Sequence, residues 1–477
     1  MSKVCLTLTG KSIEENNKLI ESYRSYIDMA ELRIDLLNEY NKTEILDFAS
    51  KIGLELILTY RQKRDGGAWA GEESIRRSRL FELLEYPWAY VDLEEDCHWP
   101  EGERKINSNG SKIIRSIHDF NGLPKDWVER LKHLDADIVK GAFYPKSYKE
   151  LARFYQEAKL LDNRCKILLA MGDIGFSTRI LAERLGSLLT FASGGKTLGA
   201  PGQINPQILC DVYNFKSLNG DEVINGIIGN PVMHSQSPVI HNEAYRVEER
   251  RAIYIPFFVE DIKDFWFFAK EMRINGLSVT IPFKETIMKE VHSLDLQEDV
   301  KAIGACNTLF SNSDGEKWSC RNTDWAGFLS PLLEEIQNLR GTKVAVIGAG
   351  GAAKAIIYAL KKEGANICIF NRTISKAKQL ADQFDCHWSP LSEDEYDKLE
   401  EYGSIIIQTT SVGMHPWEQE TPIPHYSYKD IQIAYDIIYV PEQTIFLKNA
   451  VKHGGTIING YKMLVEQARE QHQLFMG

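Results

Sequence analysis

The chain of 477 residues is 43% hydrophobic and 26% charged, too long for one ordinary domain and long enough to give two or three domains cores of their own. Its net charge of −11 and pI near 5.6 argue against nucleic acid or an anionic membrane as partners, so any basic residues that matter are local to sites. Eight cysteines are scattered without a C-x-x-C or a paired spacing, which argues against zinc or a disulfide framework and for a reduced, cytoplasmic setting.

The N-terminal MSKVCLTLTG enters a strand pattern at once, with neither an apolar signal core nor an Arg/Ser-rich transit segment. No apolar run approaches membrane-spanning length. Short apolar runs alternate with helical patterns to about residue 215: 4–8, 27–34, 54–60, 90–93, 112–117, 137–142, 166–170 and 188–192. Eight such strands predict a (β/α)8 barrel, with a doubly wound open sheet as the alternative.

Most candidate chemistry in this half sits at strand ends, which in a barrel converge on one mouth. Glu31 and Arg33, two apart on a strand, point to the same face, where a buried charged pair is costly unless used or mutually satisfied. Arg61, Asp65 and Gly66-Gly67 follow the third strand. His118 ends the fifth strand and Lys140 the sixth, so adjacent strands bring an imidazole beside an amine. Taken singly, a strand-end His is more often structural and a strand-end Lys snorkels; their adjacency favours chemistry. Desolvation and nearby cations lower an amine's pKa from about 10.4 toward 7–8, and the neutral amine attacks a ketone to form an imine. Arg179 follows the loop MGDIGFST, and arginines at the mouth suit a substrate carboxylate through their bidentate fork. The loop GAPGQ at 199–203 reads either as a lid or as a glycine turn into the next helix.

Residues 213–220, YNFKSLNG, read as a short polar linker, after which a strand over 223–228 opens a second unit. In GNPVMHSQSPVIHN, Ser235 and Ser237 place two hydroxyls in a loop opening a helix, suited to a polyol or carboxylate, though such residues taken singly are more often helix caps. The strand SVTIPFK delivers Lys284, GACNT supplies Asn307, and RNTDWAG supplies Asp324. A Lys/Asp pair beside a ketone gives a proton donor for the alkoxide formed by hydride addition; the bland alternative is a surface salt bridge.

KVAVIGAGGAA at 343–353 runs a strand into Gly348-x-Gly350-x-x-Ala353 and an apolar helix, a dinucleotide-binding turn whose helix N-terminus faces a pyrophosphate. A second strand, 366–370, ends in Asn371-Arg372-Thr373 rather than in Asp or Glu. An acidic residue would accept from the ribose of NAD, whereas Arg372 with Lys376 suits a 2′-phosphate, so the expected cofactor is NADP(H); otherwise Arg372 caps a surface turn. A last helix over 461–474 carries Met463, Leu464, Ala468 and Leu474 and is expected to pack back on the middle unit. The expected division is 1–215, a substrate lobe of 222–332 with 450–477, and a nucleotide lobe of 333–449.

The first half resembles the type I 3-dehydroquinate dehydratases through ELRID (31–35), TYR followed by DGG (59–67), SIHDF (116–120), ADIVKGA (136–142), MGDIGFSTR (171–179), GS (186–187) and APGQ (200–203). That resemblance implies a Schiff base on Lys140, proton transfer by His118, and support of His118 by Asp65, where the family often has Glu. It also implies that Glu31, Arg33, Arg61, Arg179 and Gln203 hold the substrate, with no cofactor and no metal. Gly199 stands where some members have a substrate-contacting serine, which puts that contact in doubt.

Residues 225–477 resemble the shikimate dehydrogenases through the second-half motifs above and GAGGAAKA (348–355), NRT (371–373), TTSVGM (409–414), YDIIY-x-P (435–441) and GYKML-x-x-Q (460–467). The implied catalytic pair is Lys284 and Asp324; the implied substrate ligands are Ser235, Ser237, Thr280, Asn307, Tyr439 and Gln467. Gly348, Gly350, Gly351, Asn371, Arg372, Thr373 and Lys376 would bind NADP(H). Ser278 stands where many members have Asn, and Lys376 where Arg is frequent.

Together the halves resemble the bifunctional fusion of these enzymes, which implies dehydration of 3-dehydroquinate to 3-dehydroshikimate and NADPH-dependent reduction to shikimate, in aromatic amino acid biosynthesis. Two alternatives stand beside it: an NAD-linked quinate/shikimate dehydrogenase, against which Arg372 weighs, and a non-catalytic metabolite sensor, against which Lys140, His118, Lys284 and Asp324 weigh. The expected partners are these small molecules, without nucleic acid or membrane, and the oligomeric state is open and compatible with a monomer.

Overall fold

The computed structural model describes residues 1–195, 199–291, 294–311 and 317–476. The chain forms two compact units, Met1–Gly226 with Pro231–Ile274, and Ile227–Asn230 with Asn275–Gly477.

In the first unit lie β1 (Lys3–Leu8), β2 (Met29–Arg33), β3 (Glu55–Thr59), β4 (Tyr90–Glu94), β5 (Lys112–Asp119), β6 (Ile138–Phe143), β7 (Lys166–Ala170) and β8 (Leu189–Ala192). They form one sheet in the order β7-β6-β5-β4-β3-β2-β1-β8. A single bridge, Lys166 to Ser187, with Leu188 N donating to Lys166 O at 2.8 Å, joins the two ends. The barrel, rather than the open sheet, is therefore the architecture.

Strand periodicity explains both its core and its mouth. Alternate residues share a face, and one face carries Cys5, Met29, Ile57, Tyr90, Ile114, Ile138, Ile167 and Leu189, which cluster as a buried core. Two residues further along the same strands stand Thr7, Glu31, Thr59, Asp92, Ser116 and Lys140, all buried. Apolar residues thus plug one end of the barrel, and the same register delivers polar groups to the other.

The segment after the barrel is not the free polar linker that its composition suggests. Tyr213, Phe215 and Leu218 are buried, and Tyr213 lies 6.3 Å from the Phe176 ring. Arg184 donates to Gly220 O at 2.9 Å and to Glu222 O at 3.0 Å. Three apolar anchors in eight residues dock the segment, so β9 (Val223–Gly229) starts from a fixed point.

β10 (Ala252–Phe258) and helix Ile262–Glu271 also belong to this unit. That helix packs on the barrel helix Tyr148–Ala158: the Tyr148 ring stands 5.0 Å and edge-on from Phe265, and its hydroxyl donates to Phe258 O at 2.9 Å. Asp264 accepts from the Tyr148 and Lys149 N–H groups at 2.6 and 3.1 Å, so a carboxylate complements the barrel helix's N-terminal donors.

The second unit holds β11 (Gly276–Val279), β12 (Leu294–Leu296), β13 (Thr308–Ser311) and β14 (Trp318–Arg321), side by side in the order β11-β13-β14-β12. It also holds β15 (Lys343–Ile347), β16 (Asn366–Asn371), β17 (His387–Pro390), β18 (Ile405–Gln408), β19 (Ile433–Asp436) and β20 (Thr456–Ile458). These six are parallel in the order β17-β16-β15-β18-β19-β20. The strand order reverses between β15 and β18, the place where open α/β sheets bind ligands beyond their strand ends.

Helix Gly460–Met476 returns against helix Asp324–Glu335: a Cβ added at Gly327 would lie 2.8 Å from Gln467 N. The face it buries includes two of the four expected apolar residues, Met463 and Ala468, and otherwise differs from the expected one. Met463, Gln467, Ala468, Gln471, His472 and Phe475 are buried, whereas Leu464 and Leu474 are only partly covered.

Candidate active sites

The barrel mouth encloses a cavity of about 80 Å³ lined by, among others, Glu31, Arg33, Arg61, Asp65, His118, Lys140, Arg179 and Gln203. Every barrel residue expected at the site therefore reaches one place. Strand register sets the layers: Lys140 lies opposite Ser116, and His118 opposite Ala142, one layer nearer the mouth. The Lys140 amine stands 4.4 Å from the centroid of the Phe191 ring.

Electrostatics differ among these groups. Enclosure pushes the His118 imidazole well below its usual range, helped by the cations of Arg61 and Lys140 and opposed by Asp92. Its Nδ1 is enclosed with no hydrogen-bond partner among the described residues. A neutral imidazole with a free ring nitrogen is the state a general base needs. Asp65 is raised above its usual range by burial and by the carboxylate of Glu94, against the pull of Arg61 and Arg64. It pairs with Arg64 at 3.2 Å.

The arginines divide by partner. Arg33 forks onto Asp35 with bonds of 3.0 and 2.7 Å, and Asp35 also accepts from the backbone of Arg61 and Ala68. Arg179 is 1% exposed and reaches only carbonyls, Pro201 O at 3.0 Å and Phe191 O at 3.5 Å. Burial lowers it well below the usual arginine range, to about 10, and its Nε has no partner among the described residues. A buried guanidinium that lines the cavity and has no carboxylate partner among the described residues is suited to an anionic group.

Gln203 accepts from Gly199 N and Ala200 N at 2.9 and 3.2 Å and donates to Thr7 Oγ1 at 3.1 Å. It ties the 199–203 loop over the cavity.

Asp92 was missed by sequence reasoning. Buried in the middle of β4, it accepts from Lys140 Nζ at 2.9 Å, Arg61 Nη2 at 2.7 Å and Ser116 Oγ at 2.6 Å. The available signal was the pattern that exposed Glu31 and Arg33: Asp92 and Glu94 stand two apart in VDLE.

In the second unit Lys284 Nζ meets Asp324 Oδ2 at 2.6 Å. Asn307 donates to Asp324 Oδ1 at 2.8 Å and to Thr323 Oγ1 at 3.0 Å, while its own oxygen accepts from Thr323 N at 2.8 Å. Gln467 Oε1 lies 3.5 Å from the Asn307 amide, and Gln467 donates to Leu464 O. Asp324 opens its helix, where the helix dipole favours a carboxylate.

Thr280 caps a turn, its carbonyl accepting from Phe283 N at 2.9 Å. Tyr439, following β19, is half-buried, and that burial raises its hydroxyl. Ser278 donates to Gln471 at 2.6 Å, and Gln471 donates to Thr308 Oγ1 and Asn307 O. In the first unit, Ser235 Oγ accepts from Ser237 N at 3.2 Å at the start of helix Ser237–Val247, the capping geometry weighed above.

The nucleotide turn fits a dinucleotide. Gly348 has φ 113°, and a Cβ there would lie 2.3 Å from Thr409 Oγ1. A Cβ at Gly350 would meet nothing, leaving open space at the N-terminus of helix Gly351–Lys362. At Gly351 it would stand 4.0 Å from the Lys284 side chain, which places the lysine beside the turn. Asn371 donates to Thr373 O at 2.9 Å and shapes the turn that presents Arg372. Arg372 and Lys376 are exposed, and neither is paired with a carboxylate among the described residues. Open backbone donors with unneutralised cations beyond them suit NADP(H). Among the described residues no cluster of His, Cys, Asp or Glu is arranged to hold a metal ion, and no helix is long and apolar enough to cross a membrane.

Fold and sites together define a two-enzyme chain: a (β/α)8 lyase followed by a two-lobed, NADP-dependent dehydrogenase. Residues 4–219 match the type I 3-dehydroquinase family, 227–309 the shikimate dehydrogenase substrate binding domain, and 332–420 the shikimate/quinate 5-dehydrogenase family. The bifunctional 3-dehydroquinate dehydratase/shikimate dehydrogenase, chloroplastic, of Arabidopsis thaliana is 31% identical over 100% of this chain and 82% of its own length. The shikimate biosynthesis protein AroDE of Chlamydia pneumoniae is 30% identical over 99% of this chain and 95% of its own length. A crystal structure of a shikimate dehydrogenase in complex with NADP+ covers 55% of this chain and 92% of its own, at 34% identity and a TM-score of 0.50. The chain belongs to the bifunctional 3-dehydroquinate dehydratase/shikimate dehydrogenase family.

Proposed function

We propose that this chain converts 3-dehydroquinate to 3-dehydroshikimate in its barrel and reduces that product to shikimate in its second half, as consecutive steps of aromatic amino acid biosynthesis in the cytoplasm. The observation that carries the reading is the sharing of one cavity by Lys140, His118 and the carboxylate-free guanidinium of Arg179.

In that cavity Arg179 would hold the substrate carboxylate, with Glu31, Arg33, Arg61 and Gln203 ordering the mouth around the ring hydroxyls. Lys140 adds to the C3 ketone and loses water to give an imine, an electron sink that acidifies the C2 proton. His118 removes that proton, the enamine expels the C1 hydroxyl with His118 returning a proton to it, and water then hydrolyses the remaining imine to free 3-dehydroshikimate and the Lys140 amine. Asp65 stands at the same mouth to support the imidazole.

In the second half Lys284, oriented by Asp324, gives a proton to the alkoxide oxygen as the ketone is reduced. Ser235, Ser237, Thr280, Asn307, Tyr439 and Gln467 would hold the polyol and carboxylate. Gly348, Gly350, Gly351, Asn371, Arg372, Thr373 and Lys376 would hold NADP(H), which supplies the hydride. The division into a 1–215 barrel, a 222–332 plus 450–477 substrate lobe and a 333–449 nucleotide lobe follows these roles.

The test is to mix the protein with 3-dehydroquinate and NADPH and follow NADPH loss and shikimate. The wild type makes shikimate, whereas Lys140→Ala makes it only from 3-dehydroshikimate. NADPH loss by Lys140→Ala from 3-dehydroquinate at the wild-type rate would overturn the imine assignment.

A further inference from the structure

We infer that Asp92 is a catalytic residue of the dehydratase, the fixed acceptor of one Lys140 N–H and the counter-ion of that nitrogen from ammonium to iminium. The inference rests on the imine reading of Lys140 and adds to it the group that controls the nitrogen.

The geometry is one-sided. The carboxylate of Asp92 is buried beneath Lys140 and does not line the cavity, so it faces the amine from below while substrate enters from above. Of the groups around Nζ, Asp92 Oδ2 at 2.9 Å is within hydrogen-bond distance; Glu31 Oε1 is at 3.9 Å and the Phe191 centroid at 4.4 Å. Asp92 cannot easily turn away, because Arg61 holds the same oxygen at 2.7 Å and Ser116 holds the other at 2.6 Å. Burial alone would raise this carboxyl, but Arg61 and Lys140, with His118 and the Ser116 hydroxyl, hold it well below the usual carboxylate range. Asp92 therefore faces the amine as a carboxylate.

The atoms balance in a way that gives this contact a purpose. The ammonium first gives a proton to a base, for which the neutral His118 imidazole shares the cavity; the neutral amine then adds to the ketone carbon, and the carbinolamine loses water to give the iminium. Over the whole step two of the three ammonium protons leave with the ketone oxygen as water, and the third stays on nitrogen. The positive charge at Nζ is the same before and after. One N–H survives, and Asp92 is positioned to accept it, so the C3 carbon must lie on the opposite side of the nitrogen, in the cavity. Asp92 thus stabilises the charge that makes the imine an electron sink and fixes the rotation about Cε–Nζ.

The test reads the adduct directly. Borohydride added with substrate reduces the imine to a stable amine on Lys140, which mass spectrometry measures against time. In Asp92→Asn the rate of adduct formation and dehydratase kcat are expected to fall about 100-fold or more, with KM nearly unchanged because Asp92 does not line the cavity. Reduction of 3-dehydroshikimate by the same preparation is expected to be unaffected. Adduct formation by Asp92→Asn at the wild-type rate would overturn the inference. Absence of any adduct in the wild type would instead overturn the imine reading beneath it. Should Asp92→Asn lose the barrel's own thermal transition, Ser116→Ala decides: it frees one carboxylate oxygen of Asp92, and it is expected to slow adduct formation in the same direction by a smaller factor. A wild-type rate there overturns the inference as well.

Discussion

Arg179→Leu is expected to make the ligand-free barrel more stable while crippling its chemistry. The guanidinium is buried with no carboxylate partner among the described residues, and burial lowers it well below the usual arginine range, to about 10. At about 1.4 kcal/mol for each tenfold change in proton affinity, that drop corresponds to roughly 3 kcal/mol. The sign follows from the direction: a cation whose folded value is depressed destabilises the fold wherever it is charged in both states. The cost is therefore fully present from acid to neutral pH and fades only as pH rises through about 10. Against it stand the bonds to Pro201 O at 3.0 Å and Phe191 O at 3.5 Å, of which only the first has good length. Their loss offsets about 1–2 kcal/mol. The balance favours leucine by on the order of 1 kcal/mol, a rise of about 2–4 °C in the melting of a unit of this size. Differential scanning calorimetry of the full chain reads that rise. The same variant is expected to lose the stabilisation that 3-dehydroshikimate gives the wild-type barrel and to raise KM for 3-dehydroquinate by roughly 100-fold or more, because a buried charge partner is worth about 2–5 kcal/mol. A variant that melts below the wild type without ligand, or that keeps its KM, would refute the account of Arg179 as an anion site held open at a cost in stability.

Gln471→Leu is expected to lower kcat for reduction of 3-dehydroshikimate by about tenfold, since Gln471 braces Thr308 and Asn307, and Asn307 braces Asp324. Dehydratase turnover in the same sample serves as the control, and an unchanged reductase kcat would remove Gln471 from the positioning network. Asp436, at the end of β19, is raised from 3.8 to about 7 by burial, against the bonds from Thr444 and Ile438 N. A raised carboxyl binds a proton in the folded state that the unfolded chain has released, so stability falls as pH rises from about 4 to 7 and then levels off. Asp436→Asn is expected to abolish up to about 4 kcal/mol of that fall, read as urea midpoints at pH 5 and 8; parallel profiles for the two proteins would sink the argument.

Much of the site was legible because strand chemistry is local. The i, i+2 rule puts Glu31 and Arg33 on one face, and strand ends bring His118 and Lys140 to one mouth. The same rule applied to β4 would have exposed Asp92, which lies inside the expected strand 90–93, and Glu94, which lies one residue beyond it. What could not be read were partners distant in sequence: the backbone N–H groups of Arg61 and Ala68 hold Asp35, onto which Arg33 forks, and Gln203 clips its loop to Thr7 on the neighbouring first strand.

The C-terminal helix shows the same lesson from the helical side. Met463, Gln467, Gln471 and Phe475 recur every four residues and are buried together, so two amides occupy register positions that an apolar count assigns to core. Counting hydrophobic residues instead selected Leu464 and Leu474, which are only partly covered. A buried amide is costly unless its donors and acceptor are met. Gln471 meets them on Ser278, Thr308 and Asn307, and Gln467 lies beside Asn307. Asp92 on β4 and Gln471 on the last helix are thus the same kind of residue: polar groups at apolar register whose burial is tolerated because each holds a neighbour of the chemistry. Register, read before residue type, is what would have picked out both.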